Sequence, residues 1–274
     1  MTLSDASSMA LLSTDAPLAI RDRYFATSLI SPFADHMARR LSRINLGPVL
    51  EICADTGALT RALSSAMSAS LTIIATDPND DAIAHASVKP GMARIAWQRA
   101  NPAALPFPDA TFGIVTCHFG VATLPDRPKA FREARRTMKT SGRFVFSSLA
   151  HIRYNQVAQC LQGAMDDLFP SDPPRFVGHV LHGYADTETI DDDLTAAGFT
   201  DAIYTTVDLP FVAASASDVA IGYCLGTPLR HEIEARAPND MKNVIRTVAA
   251  VLEKRFGSGM IEAGMRANIV SASG

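Results

Sequence analysis

The stretch VLEICADTGALTRAL, residues 49–63, puts an apolar run, a tight turn and a helical run in immediate succession. Val49 to Cys53 reads as a buried strand, and Ala58 to about Ala66 as a helix. The turn between them closes on Gly57, so its backbone N–H groups and the positive end of the helix face any bound anionic group. On the N-terminal side, Phe33, Met37, Leu41 and Ile44 predict an amphipathic helix over 33–46. Gly47-Pro48 ends that helix, because proline disfavours a helical conformation in the residue before it. On the C-terminal side, LTIIAT (71–76) predicts a second strand closing on Asp77-Pro78, and DDAIAHASV (80–88) a helix. ARIAWQ (93–98) and TFGIVTCHF (111–119) predict the third and fourth strands. KAFREARRTMK (129–139) predicts a helix and GRFVFSSL (142–149) a fifth strand. Strands and helices thus alternate over 48–149, the rhythm of a doubly wound parallel sheet with helices on both faces. Ligands of such sheets sit at the carboxyl ends of the strands, where the strand order reverses.

The second half is less regular. YNQVAQCLQGAMDDLF (154–169) places Val157, Leu161, Met165 and Leu168 on one helical face, and a Pro-rich break follows at 169–174. ETIDDDLTAAGF (188–199) reads as a helix stopped by Gly198, and AIYTTVDL (202–209) as a strand. SDVAIGYCLG and 240–256 add helices, and RANIVSA (266–272) a last strand. The expectation is one domain over 21–274, preceded by a loose arm over 1–20. Helical insertions at about 154–185 and 210–262 form a lid enclosing an apolar pocket beside His118, with Phe119, Leu124, Phe176 and Phe211 near it.

The 274 residues are 47% hydrophobic and 19% charged, which excludes disorder of the whole chain. A net charge of -3, from 25 Lys and Arg against 28 Asp and Glu, argues against a broad nucleic-acid-binding face. No apolar run reaches the ~18–20 residues of a membrane span, and the first twenty residues lack a basic leader. Cys53, Cys117, Cys160 and Cys224 form no CxxC pair, so a reducing compartment, the cytoplasm, fits them. The histidines show no metal-ligand spacing, and neither a GxSxG elbow nor a P-loop is present. A small-molecule substrate is expected, with no nucleic acid, metal or membrane as partner; a homodimer is left open.

Three features converge on a nucleoside cofactor. The turn at 53–57 offers backbone donors, Asp77 can accept two hydrogen bonds from ribose hydroxyls, and the amide of Asn101 can meet an adenine edge. Each alone also fits a turn or cap residue. Cys53 and Cys117 close the first and fourth strands, neighbours in this fold; they read as buried small residues, with a reactive thiol pair as the alternative.

These segments resemble the class I S-adenosylmethionine-dependent methyltransferases of the type-11 group, akin to those of ubiquinone and menaquinone synthesis. VLEICADTGALTRAL resembles the family's strand–glycine loop–helix, and IIATDPNDDAIAHA its ribose-binding strand and following helix. WQRANPAALPFPDATFGIVTCHFGVATLPDRPKAFREARRTMKTSGRFVFSS resembles the long stretch the family carries next. The likeness is strong over 24–149 and looser through AAGF (196–199) and GTPLRHEIEAR (226–236). It implies a Rossmann-like seven-stranded sheet with the last strand antiparallel, and S-adenosylmethionine as cofactor. The implied cofactor set is Glu51, Cys53, Asp55, Gly57, Asp77, Pro78, Ala100, Asn101 and Cys117. Asp77 is assigned to the ribose, Ala100 and Asn101 to the adenine, and the turn to the amino-acid end. His118 is placed near the transferable methyl, as a general base or a binding group, with Tyr24 covering it. The chain departs from the family at Cys53 and Asp55, where glycines are usual, at Asn101, usually acidic, and at Thr140-Ser141-Gly142, usually Pro-Gly-Gly. These departures motivate the alternative of a methyltransferase-like protein that binds a ligand or partner without transferring methyl. A nicotinamide oxidoreductase lacks its GxGxxG.

Overall fold

A computed structural model describes residues 17–274. The arm expected over 1–20 therefore lies outside the described residues up to residue 16, while Pro17–Ile20 (α1) is helical and continues into a π-helix, Arg21–Ile30. Seven strands form one sheet in the order β3-β2-β1-β4-β5-β7-β6. They are Val49–Ile52 (β1), Ile73–Asp77 (β2), Ala96–Arg99 (β3), Phe112–His118 (β4), Met138–Leu149 (β5), Asp201–Ala213 (β6) and Ile261–Ser273 (β7). β1 pairs in parallel with β2 and β4, β2 with β3, and β4 with β5, whereas β7 runs antiparallel to β5. This is the expected Rossmann-like sheet with its last strand reversed.

The longer helices are Ser31–Leu41 (α2), Ala58–Ala66 (α3), Asp80–Ser87 (α4), Arg127–Thr137 (α5), Gln156–Leu168 (α6), Thr187–Ala196 (α7), Ala216–Gly226 (α8), Leu229–Arg236 (α9) and Met241–Phe256 (α10). α2 stops at Leu41, short of the expected residue 46, and its Phe33, Met37 and Leu41 are buried. β1, buried at every residue, places α3 directly behind its loop. The C-terminal end of α3 is closed by Arg94, whose guanidinium donates to the carbonyls of Ser64 (2.9 Å), Met67 (3.1 Å), Ser68 (3.0 Å) and Leu71 (3.2 Å). One long side chain thus satisfies acceptors that a helix end leaves without partners.

The chain divides into two compact units. The first contains the described residues up to Leu29, together with Asn155–His179 and Pro210–Met265. In it the ring of Phe25 meets Tyr223 edge-on at 5.0 Å, and Glu232 accepts from the backbone N–H of Arg175 and Phe176. The second contains Ile30–Tyr154, Val180–Leu209 and Arg266–Gly274. Its core joins Leu50, Ile52 and Val115 of the sheet to Phe131, Phe144, Phe146 and Phe199. No helix among the described residues is long and apolar enough to cross a membrane.

Candidate functional site

The strand order reverses between β1 and β4, with β2 and β3 beyond one and β5 beyond the other. A crevice at the carboxyl ends of these two strands is where a doubly wound sheet takes its ligand. The loop that leaves β1 there has a distinctive backbone. Cys53 (φ 56°), Asp55 (φ 48°) and Gly57 (φ 77°) all occupy the left-handed region. Glycine enters that region freely; other L residues do so at a cost of roughly 1–2 kcal/mol, less for Asp with its short polar side chain. The loop therefore keeps a glycine path while carrying two side chains.

Hydrogen bonds hold the path in place. Ala54 N–H donates to the Thr76 carbonyl (2.9 Å), and Gly57 N–H to Ala54 (2.8 Å). Asp55 N–H donates to Asp77 Oδ2 (2.9 Å), and Lys89 Nζ to the Thr56 carbonyl (2.8 Å). At Gly57 a Cβ would stand 3.0 Å from the Ala86 methyl and 3.1 Å from Met92 Cε, so both φ and space require glycine. The N-terminal end of α3 has no side-chain cap, which leaves its first N–H groups to the loop side.

Asp77 is nearly buried at the end of β2. Its Oδ1 accepts from Asn79 N–H and its Oδ2 from Asp55 N–H, both at 2.9 Å. An ionised carboxylate accepts through both oxygens, which is the chemistry that a ribose diol requires. Ala100 is buried, and its N–H donates to the Asp77 carbonyl (3.1 Å). Asn101 is exposed, and its Oδ1 accepts from Ala103 N–H (2.9 Å) in an Asx turn, which leaves Nδ2 as the group able to meet a base. The same loop is anchored by Leu105 N–H on Glu133 Oε2 (2.8 Å), with Arg136 paired to Glu133.

Glu51 lies 1% exposed in the middle of the sheet, with Thr60 Oγ1 donating to its Oε2 (2.7 Å). Burial, aided by the nearby charge of Asp77, pushes its pKa up to about 8, with the Thr60 bond opposing. At neutral pH it is chiefly a neutral acid, and a cation brought close would favour its ionised form.

His118 ends β4. Its Nε2 stands 3.0 Å from the Ile30 carbonyl, which can only accept, so Nε2 carries the proton. Nδ1 then accepts from Ser147 Oγ (2.7 Å), and the same oxygen accepts from Phe119 N–H (3.1 Å). Burial pulls the pKa down to about 4 despite the Ile30 bond. The imidazole is neutral and its lone pair is engaged by Ser147. Cys117, fully buried, touches Cys53 through a thiol hydrogen bond; that bond, then burial, raises its pKa well above the ordinary thiol value.

Glu51, Cys53, Asp55, Gly57, Asp77, Pro78, Ala100, Asn101, Cys117 and His118 thus all lie at or just beyond the carboxyl halves of β1 to β4 in the second unit. Tyr24 belongs to the first unit, half-buried, with the Arg23 guanidinium 5.1 Å from its ring. Phe119 and Leu124 are buried in the second unit, Phe176 and Phe211 in the first. Sequence reading missed Thr60, Lys89 and Ser147, which hold Glu51, the loop and His118. Thr60 and Ser147 lie inside regular elements and Lys89 just past α4, so only the fold brings them to the loop. Among the described residues no cluster of three His, Cys, Asp or Glu side chains is arranged to hold a metal ion.

Sheet order and helices define a doubly wound α/β protein whose β1 loop lies at the point where the strand order reverses. The model of the ubiE/COQ5 methyltransferase family matches residues 34–217, and the chain belongs to that family. Among its relatives is the ubiquinone/menaquinone biosynthesis C-methyltransferase UbiE of Marinomonas sp. (strain MWYL1), 29% identical over 167 residues, covering 55% of this chain and 65% of that protein. Its counterpart in Cronobacter sakazakii is 28% identical over 170 residues, covering 57% and 67%. The chain thus spans about two thirds of the length of these relatives. The fold is also that of the YcgJ protein from Bacillus subtilis (TM-score 0.55, 18% identity, 88% of this chain and 97% of that one). A further match is Haemonchus contortus phosphoethanolamine N-methyltransferase 2 in complex with S-adenosyl-L-methionine (TM-score 0.53, 14% identity, 93% and 56%).

Proposed function

We propose that this protein binds S-adenosylmethionine at the β1 loop and transfers its methyl group to a small-molecule acceptor. The observation that carries this reading is the left-handed backbone at Cys53, Asp55 and Gly57, tied to Asp77 by the Asp55 N–H. The uncapped start of α3 would hold the carboxylate of the cofactor's amino-acid end, beside a loop whose N–H groups at Ala54, Asp55 and Gly57 fix its own path. Glu51 and Asp55 supply acidic groups for its amino group and sulfonium. The carboxylate of Asp77, at the end of β2, would accept from the ribose hydroxyls, with Pro78, Ala100 and Asn101 beside the base. When bound, the cofactor supplies a methyl group already activated on a sulfonium. The chain's task is then alignment and exclusion of water rather than proton transfer. His118 suits that task as a positioning group, since Ser147 occupies its lone pair. The unpaired cysteines support a reducing compartment, the cytoplasm.

The test is a calorimetric titration with S-adenosylhomocysteine of the natural protein and Asp77→Ala. Loss of bonds to a charged acceptor is expected to weaken binding by roughly 1.5–3 kcal/mol. Unchanged affinity in a folded variant removes Asp77 from the ribose, with thermal unfolding as the check on folding.

A further inference from the structure

Cys53 and Cys117 stand on neighbouring strand ends at the reversal point. β1 and β4 pair in parallel with Glu51 opposite Thr116, so Cys117 lies one residue beyond that pair and Cys53 two. With adjacent strands about 4.8 Å apart and a rise of about 3.3 Å per residue, this one-residue offset corresponds to a diagonal of about 6 Å between Cα atoms, within the span that a disulfide bridges. The side chains converge on the backbone of Gly120. A Cβ there would lie 2.7 Å from Cys53 Cβ, 3.0 Å from Cys117 Sγ and 3.6 Å from Cys53 Sγ. Gly120 makes room for both sulfurs, and the thiols touch through a hydrogen bond. Cys53 is a half-buried residue, whereas Cys117 has none of its surface in solvent.

We propose that Cys53 and Cys117 are a modification site, a thiol pair that hydrogen peroxide oxidises reversibly to a disulfide joining the β1 loop to β4. The Cys53 sulfur, as thiolate, attacks the peroxide oxygen; an S–O bond forms, the O–O bond breaks, and water leaves after uptake of a proton. Cys117 sulfur then attacks the resulting sulfenic acid; the S–S bond forms, the S–O bond breaks, and the departing hydroxide leaves as water with the Cys117 proton. Two thiols are oxidised by two electrons, and one peroxide is reduced to two waters. The division of roles follows exposure: Cys53 meets the oxidant and Cys117 resolves. The link fixes Cys53 to β4 at the residue that begins the left-handed path. The effect on S-adenosylhomocysteine rests on the function proposed above; the cross-link does not.

The full-length protein is treated with hydrogen peroxide, digested under non-reducing conditions and read by mass spectrometry. The expected product is one linked peptide pair containing Cys53 and Cys117, two hydrogens lighter than the sum of the free peptides and split by dithiothreitol, with Cys160 and Cys224 still free. Cys117→Ser is expected to leave Cys53 as sulfenic or sulfinic acid with no link. The proposal is overturned if Cys53 in the natural protein goes to sulfinic acid unlinked, or if neither thiol reacts. In calorimetry the linked protein is expected to bind S-adenosylhomocysteine at least tenfold more weakly, restored by dithiothreitol. Equal affinity in linked and reduced protein overturns the coupling to the loop. Absence of binding by the reduced protein, with the link still formed, counts against the proposed function alone.

Discussion

At Glu51, a carboxyl group is buried where only its neutral form is comfortable, and this has a measurable sign. Its folded pKa of about 8 lies above the ordinary 4.5, so the folded state holds the proton more tightly than the unfolded chain. The associated stability is complete below about pH 4.5 and declines as pH rises towards 8. Glu51→Gln keeps an acceptor for Thr60 and removes the ionisation. The variant is therefore expected to gain stability relative to the natural protein between about pH 5 and 8, read from urea unfolding at each pH. A constant difference across that range contradicts the assignment. His118 and His182 act in the opposite sense, since burial lowers both from 6.5 to about 4. Their contribution is complete above pH 6.5 and lost as pH falls through about 4. Ser147→Ala leaves the buried His118 Nδ1 without its partner, while Phe119 N–H keeps the Ser147 carbonyl (3.2 Å), and is expected to cost about 1–3 kcal/mol in the same assay. A loss within a few tenths of a kcal/mol counts against that bridge. The positions of Asp77 and Asn101 were legible in the sequence because one ends a strand and the other stands just past one. The occupied lone pair of His118 was not, because Ile30 and Ser147 reach it only through the tertiary fold.

Among the elements, α3 matches its expected bounds because strand, turn and helix signals adjoin without ambiguity. β3 starts at Ala96 rather than 93, since Arg94 is drawn off to cap α3, and β5 starts at Met138, directly after α5. α9 escaped notice: its eight residues bury only Leu229 and Ile233, too little to set a period. The N-terminal π-helix escaped too, and its seat in the first unit depends on glycines of α8. A Cβ on Gly222 would stand 3.0 Å from Phe25 N, and one on Gly226 would stand 2.9 Å from Arg21 Cα, beside the bond from Arg21 Nε to the Gly226 carbonyl (2.6 Å). Gly222→Val forces backbones apart and is expected to cost about 1–3 kcal/mol, with earlier proteolytic cleavage within residues 21–30. Natural-like protease resistance in the variant contradicts the close packing. The loop after β1 was legible as a turn but not in its dihedrals, because Cys and Asp do not announce a left-handed backbone as glycine does.

At the scale of the whole molecule, sheet order and chemistry agree. The reversal between β1 and β4 gathers the substituted loop, Asp77 and the end of β4 in one unit, and the family model runs across that segment. Sequence made the sheet readable because buried parallel strands are short apolar runs between helical repeats. The division into two units was not readable, because the first is assembled from three separate stretches of chain. The central claim is that Cys53 and Asp55 follow the glycine path and leave the methionine end of the site usable. Calorimetric titration of S-adenosylhomocysteine into the natural protein and into the Cys53→Gly/Asp55→Gly variant tests it most directly. Micromolar binding, worth about 8 kcal/mol, is expected in the natural protein, with the variant within about 1.4 kcal/mol, or tenfold, of it. Undetectable binding in the natural protein with tight binding in the double-glycine variant would contradict the account.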